Sequence, residues 1–387
     1  MEQIRVALVG LGGMGRKYAE LLAKEQTGGL VLQGVCCRNR EGQELVRSRY
    51  PWASLYRDVE EMVSRAEEYD AVLIATPHNT HVEIGKQAFA CGKHVFCEKP
   101  LGISGAEVRT LLEAKRPETA FAVMFNNRAL PAFRKAKELL DQKAVGRVTR
   151  AVWICNNWFR SPAYHRSAPW RSSWNGEQGG LLINQCQHYL DIWQWLFGMP
   201  DVIDADLDFG KYNDFQVEDG ADVRLLYHGP KPAFRGTLIS ASGEHPGVNR
   251  LEIWGDKGRL TVEDGARVSL ERNVPDIGTF NRTNQEIFGQ PGHETVPIEL
   301  EPEENTYLAM FRNFAEHLQS GAPLIAPGEE GLRSILLTNG AYLSAWTREK
   351  VAFPMDEERY ERLLAERRAR ETSLPPGFLD IRHCSIL

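Results

Sequence analysis

Three stretches of this chain carry residue types that can do chemistry together. The first, Gly10-Leu11-Gly12-Gly13-Met14-Gly15, is a G-x-G-x-x-G turn. In such a turn Gly10 permits a tight bend, Gly12 lets backbone approach a pyrophosphate, and Gly15 allows a helix to pack closely on a strand. The helix opening at Gly13 and Met14 offers free N–H groups to phosphates. The second is a pair of loops, Ala75-Thr76-Pro77-His78-Asn79-Thr80-His81 and Cys97-Glu98-Lys99-Pro100-Leu101. The third runs from Gly179 to Asp191 and sets Asn184 four residues before His188, so a helix presents both on one face. A histidine titrates near neutrality and can accept the proton of a secondary alcohol. A lysine beside it can hold the hydroxyl or stabilise a developing alkoxide. The combination points to hydride transfer between a CH–OH group and a dinucleotide.

These residues need a frame. Strand-like runs at 4–9, 30–36, 71–75, 94–97 and 119–124 alternate with amphipathic stretches at 15–23, 41–50 and 81–90. Such alternation predicts parallel strands with right-handed crossovers. Ligands bind beyond the carboxyl ends of strands in these sheets, where the glycine turn and both loops fall. The pattern changes near Met124–Phe125. A helix over 131–142, a strand over 147–154, an aromatic-rich loop and a helix over 180–197 follow, the last stopped by Gly198 and Pro200. Residues 204–296 read as consecutive strands with short turns, hence a large, mostly antiparallel open sheet. Helices are predicted over 304–319 and 329–347, and a charged, solvated one over 356–370. The expected fold class is α/β. A Rossmann dinucleotide-binding domain spans residues 1–124, and an α+β domain for substrate binding and oligomerisation spans 125–387.

In the order and spacing of G-x-G-x-x-G, TP-x-x-x-H, EKP and GG-x(4)-Q-x-x-H-x-x-D, the sequence resembles the glucose–fructose oxidoreductase/inositol dehydrogenase (Gfo/Idh/MocA) family along nearly its whole length. The resemblance implies an NAD(P)-dependent dehydrogenase or reductase of sugars or cyclitols, a homodimer or homotetramer joined through the open sheet face. It implies that Lys99 is the catalytic lysine and His188 the proton-transfer histidine, both touching substrate. Thr76, Pro77, His78, His81, Glu98 and Lys99 would then lie near the nicotinamide ribose, and Asn126, with Arg128, would border the nicotinamide. A cis bond before Pro100 would fix the Lys99 turn. One departure matters. Many members carry Asp four residues before the histidine, where this chain has Asn184, which cannot ionise. Asn184 then hydrogen-bonds a substrate hydroxyl, and Lys99 and His188 share the proton or relay it through water. Asp191 either orients His188 or makes a structural contact. No metal is expected, because His188 and Asp191 alone make a poor site.

The strand at 30–36 leads into Cys37-Arg38-Asn39-Arg40, with Cys37 where NAD enzymes usually place an acid for the adenine ribose. Without that carboxylate a 2′-phosphate is not repelled, and Arg38 or Arg40 can pair with it. The alternative is Arg38 stacked on adenine, with either coenzyme bound. The cofactor is NAD or NADP, with a lean to NADP. Between Trp153 and Trp195 lie Trp158, Phe159, Arg160, Tyr164, His165, Trp170, Arg171 and Trp174. Aromatic faces suit the C–H faces of a sugar, and Tyr164, Trp170 and Arg171 are the leading substrate contacts. The competing reading has these tryptophans anchoring a loop to the core.

The composition of the 387 residues excludes several classes. A net charge of -6 argues against duplex nucleic acid, and no apolar run approaches the ~20 residues that span a bilayer. None of the seven cysteines forms a C-x-x-C pair, and the chain opens directly into a strand-like run, which together suggest a reducing cytoplasm. Two other functions fit the same residues. An NAD-dependent glycosidase would oxidise a ring carbon transiently and release an aglycone without net coenzyme change. A non-catalytic NAD(P)- or sugar-sensing regulator would not need Lys99 and His188.

Overall fold

The computed structural model describes residues 3–24, 26–168, 170–229 and 233–372. It divides into two units, Met1–Ala129 with Glu304–Ile335, and Leu130–Glu303 with Leu336–Leu387. The sequence suggests one crossing near 124–125. In the structure the chain crosses at Ala129 and returns to the first unit over Glu304–Ile335.

The first unit holds six parallel strands: β1 (Ile4–Val9), β2 (Leu30–Cys36), β3 (Ser54–Tyr56), β4 (Ala71–Ile74), β5 (His94–Cys97) and β6 (Phe121–Val123). Their order is β3-β2-β1-β4-β5-β6. The strand order reverses at β1, beside β4, leaving a crevice beyond the carboxyl ends of this pair. All four residues of β4 are buried, as a central parallel strand requires. β3 has no signature in the sequence: three residues carry no periodicity, and only pairing with β2 and the burial of Tyr56 reveal it. The returning segment is held by the apolar stripe of helix Thr306–Ser320. Phe311 meets Tyr18 and Phe96 edge-on at 5.4 and 5.6 Å between ring centroids, and Phe314 lies 5.0 Å from Phe96. Burying each phenylalanine contributes about 2–3 kcal/mol, enough to hold a distant segment against its entropy.

The second unit is built on nine strands: β7 (Val148–Cys155), β8 (Val202–Phe209), β9 (Glu218–Tyr227), β10 (Phe234–Ala241), β11 (Asn249–Gly255), β12 (Gly258–Glu263), β13 (Arg267–Val274), β14 (Gly292–Val296) and β15 (Val351–Ala352). They run in the order β14-β13-β12-β11-β7-β10-β9-β8-β15, antiparallel throughout apart from the β7–β10 pair. Burial alternates along β11, so one face joins the core and the other stays half open. On the core face Trp153 packs against Phe133 of helix Pro131–Asp141 and Tyr189 of helix Gln187–Phe197, at 5.6 and 4.9 Å. Trp174 and Trp193 are equally buried, so these three tryptophans serve the core and not a sugar.

The charged helix predicted to lie in solvent is Glu357–Thr372, and it has a buried side. Tyr360, Leu364 and Glu371 are spaced four and seven apart and are sealed from water. Tyr360 and Tyr342 lie nearly parallel to Trp346, at 5.6 and 5.4 Å. The arginines and glutamates around that stripe hide it in the sequence. No helix among the described residues is long and apolar enough to cross a membrane.

Candidate active site

In the first unit β1 ends at Gly10, whose φ of 93° places it in the left-handed region. A Cβ on Gly10 would sit 2.6 Å from the Ala75 carbonyl oxygen, and one on Gly15 would sit 2.0 Å from that of Gly10. Both positions exclude a side chain. At Gly12 and Gly13 a Cβ would meet nothing within 4 Å. Helix Gly13–Ala23 opens there without a side-chain cap, and Met14 is half-buried in its first turn. Open space above uncapped N–H groups fits a pyrophosphate.

Cys37 follows β2 and is buried, while Arg38 is exposed and makes no ion pair among the described residues. Asn39 caps helix Arg40–Arg49 by accepting from Gly42 N–H at 2.6 Å, and Arg40 is drawn aside to Glu44 at 3.0 Å. After β4, the Thr80 hydroxyl bonds Thr76 Oγ1 and the Pro77 carbonyl, each at 2.7 Å. His78 is largely buried beside it. His81 is fully buried, with Nδ1 2.7 Å from the Pro100 carbonyl oxygen and Nε2 2.8 Å from that of Thr76. Its ring braces two loops. The expectation that it touches the coenzyme gives way, because both nitrogens face backbone and the ring is sealed.

After β5, Glu98 is buried. Its carboxylate accepts from the Tyr18 hydroxyl and from Lys99 N–H at 3.0 Å. Burial pushes this carboxyl's pKa up, while the Lys99 charge and the Tyr18 bond pull it down. One carboxylate thus ties the phosphate-facing helix to the Lys99 loop. The Lys99 side chain is half-buried and the Lys99–Pro100 peptide is cis. Asn126 is buried and donates to the Thr306 hydroxyl at 2.8 Å. Arg128 points inward, bonding the Ile325 carbonyl at 3.1 Å and pairing with Glu330. It is a structural arginine, contrary to the expectation that it borders a nicotinamide.

In the second unit the helix predicted over 180–197 is two pieces, Leu181–Asn184 and Gln187–Phe197. Cys186 N–H reaches back five residues to the Leu181 carbonyl at 2.9 Å, a wide turn that inserts one residue. The Gln187 side-chain amide bonds the Leu182 carbonyl at 3.3 Å. With this insertion, spacing alone no longer puts Asn184 and His188 on one face. His188 is the second residue of the new helix and is part-exposed. Asp191 is fully buried and accepts from the Gln194 amide at 3.0 Å.

Asn184 instead turns to the aromatic loop. Its amide donates to the Tyr164 hydroxyl oxygen at 3.1 Å and to the buried carboxylate of Glu177. Tyr164 Oη also accepts from Gln185 at 3.0 Å and from Arg171 at 2.8 Å. Arg171 lies over the Tyr164 and Trp170 rings at 4.4 and 4.5 Å, and 3.7 Å from Glu177. The structure therefore joins Tyr164, Trp170, Arg171 and Asn184 in one network. Sequence reading missed Glu177, Gln185 and Glu218. Glu218 accepts from Gly180 and Leu182 N–H at 3.0 and 2.7 Å and from the Tyr342 hydroxyl at 2.8 Å. Gly179 and Gly180 are needed here, since a Cβ on either would strike Tyr342 Oη or the Glu218 carbonyl. The one clue to Glu218 is the run Glu218-Asp219 opening a strand.

The model of the oxidoreductase family NAD-binding Rossmann fold matches residues 4–126, and the model of that family's C-terminal alpha/beta domain matches residues 137–353. The chain belongs to the Gfo/Idh/MocA oxidoreductase family. Among curated members, myo-inositol 2-dehydrogenase of Thermotoga maritima is 26% identical over 343 residues, covering 86% of this chain and 94% of the relative. The scyllo-inositol 2-dehydrogenase (NADP(+)) IolW of Bacillus subtilis is 24% identical, covering 78% of this chain and 84% of the relative. Levoglucosan dehydrogenase, solved with NADH and levoglucosan, superposes with a TM-score of 0.75 at 20% identity, over 92% of this chain and 100% of that one. At that identity the likeness concerns the fold. This Gfo/Idh/MocA member is an oxidoreductase with a Rossmann coenzyme unit, as its motifs imply.

Proposed function

We propose that this oxidoreductase transfers a hydride between nicotinamide and a secondary alcohol of a sugar, glycoside or cyclitol. The observation that carries the reading lies in the first unit. The open Gly12–Gly13 cradle follows β1 and Lys99 follows β5, so a phosphate site and an ammonium group share the carboxyl edge of one sheet. The named dehydrogenases of inositols among its relatives support the substrate class. When bound, the coenzyme supplies the hydride acceptor. Lys99 holds the hydroxyl oxygen and stabilises negative charge as the proton leaves, and His188 takes that proton. In the reducing direction the same two groups return it. NADP is the favoured coenzyme, because Arg38 stands exposed and unpaired where an acid would exclude a 2′-phosphate. The protein acts as a homodimer or homotetramer joined through the half-open face of its nine-stranded sheet.

A panel of sugars, glycosides and inositols, assayed by nicotinamide absorbance with NAD and NADP, tests the reaction. Stoichiometric coenzyme reduction is expected. Aglycone release at constant coenzyme would mean the glycosidase instead. Lys99→Ala should cut turnover ~10³-fold or more while coenzyme still binds. Unchanged turnover would remove Lys99 from the mechanism.

A further inference from the structure

The loop carrying Tyr164 has more positive charge than it neutralises. Arg160 and Arg171 both lie over the Tyr164 ring, at 4.9 and 4.4 Å, and the Glu177 carboxylate stands 3.7 Å from Arg171. Arg160 makes no ion pair among the described residues. Its backbone N–H is fixed to the Ser242 carbonyl at 2.8 Å, and its guanidinium also stacks over Trp158 at 5.2 Å. Nη1 donates to the Phe159 carbonyl at 3.0 Å, and Nε is buried with no hydrogen-bond partner. The guanidinium as a whole is only half-buried and has no carboxylate partner among the described residues, so a ligand anion that reaches its solvent-facing N–H groups gains a charge-assisted pair. His165 adds no acceptor charge and no cation: burial, helped by the Arg171 and Arg160 charges, outweighs the pull of the Arg160 backbone and pushes its pKa down to about 4.

The hydrogen-bonding inventory is as lopsided as the charge. Tyr164 Oη already accepts from Arg171, Asn184 and Gln185 within 3.1 Å, so its own O–H is what remains to offer. Arg160 and Arg171 are donors only. A wall of donors suits a ligand that only accepts. A neutral hydroxyl must also donate, whereas a carboxylate or phosphate oxygen does not.

We propose that Arg160, with Tyr164 and Arg171, forms an anion subsite, and that the substrate is an acidic sugar or cyclitol derivative whose carboxylate or phosphate pairs with Arg160. This rests on the proposed dehydrogenase reading and narrows its substrate class. The subsite shares its network with Asn184, one of the proposed substrate contacts. Arg160 and Tyr164 are specificity-determining residues in this account.

Two measurements test it. In the first, coenzyme reduction is followed with matched pairs: D-glucose against D-glucuronate, D-glucose against D-glucose 6-phosphate, D-galactose against D-galacturonate. One acidic member should exceed its neutral partner ~10- to 100-fold in kcat/KM, and Arg160→Gln should lose most of that margin through KM, with Arg160→Lys between the two. The uronate and phosphate arms tell which anion is read. A neutral partner turned over equally well or better overturns the proposal, as does an Arg160→Gln variant that loses acid and neutral activity alike. The second measurement is calorimetric titration of the wild type with D-glucuronate, D-glucose 6-phosphate and D-glucose. Tighter binding of an acid, lost in Arg160→Gln, supports the subsite even if no sugar is oxidised, in which case the dehydrogenase reading fails alone. Equal binding of acid and neutral sugar, or none of either, overturns the subsite.

Discussion

Single residues divide into those whose task is set by near neighbours in sequence and those whose task comes from afar. Arg38 is of the first kind. It follows β2, no acid stands beside it, and its exposed guanidinium is available to a 2′-phosphate. Arg38→Ala should therefore lower kcat/KM with NADP ~10-fold or more while NAD changes little, since a charge-assisted pair is lost with one coenzyme only. Equal losses with both would end the NADP argument. Gly10 and Gly15 are legible for the same local reason: their spacing within a strand–turn–helix dictates what they can do. Glu177 and Glu218 are not. Glu218 caps a backbone N–H 36 residues away, and no spacing rule reaches that far. His81 and Arg128 mislead in the opposite direction. Histidine and arginine look functional in a loop, but here His81 is consumed by two backbone carbonyls and Arg128 by one carbonyl and the Glu330 carboxylate.

At the scale of elements, strands and long helices were readable from their periods, and the interruption at Gln185–Cys186 was not. A wide turn leaves the residue types of a helix unchanged and alters only its phase. What fixes the short helix before it is Glu218, whose carboxyl burial pushes up to about 7 against the pull of its hydrogen-bond donors. The folded chain then holds a proton that an unfolded glutamate has lost. Stability from this group is full below about pH 4.5 and declines as pH rises towards 7, by about 3 kcal/mol in all. Glu218→Gln does not titrate. The melting temperature of wild type relative to this variant should fall between pH 5 and pH 8, read by parallel thermal scans. A constant difference would contradict the buried-carboxyl account.

For the whole molecule, the half-open sheet face is the proposed contact between copies of the chain. Arg150, Trp254, Arg259, Glu271 and His293 line a groove of about 580 Å³ on it. Light scattering should give at least twice the single-chain mass, and Trp254→Glu should return it to one chain. A wild-type monomer would refute the proposed assembly. The fold class was legible because alternating strands and helices followed by consecutive strands leave few arrangements. The return of Glu304–Ile335 was not, because an amphipathic helix records that it has an apolar side but not which surface receives it. That return has a consequence for how the protein is made and remade. A ribosome must release the chain through Ser320 before Tyr18 and Phe96 gain their cover, so the coenzyme-binding half cannot mature until most of the other unit has been translated. For the same reason a gene fragment ending at Ala129 yields an unfinished half, and exchanging this unit between relatives takes three crossovers.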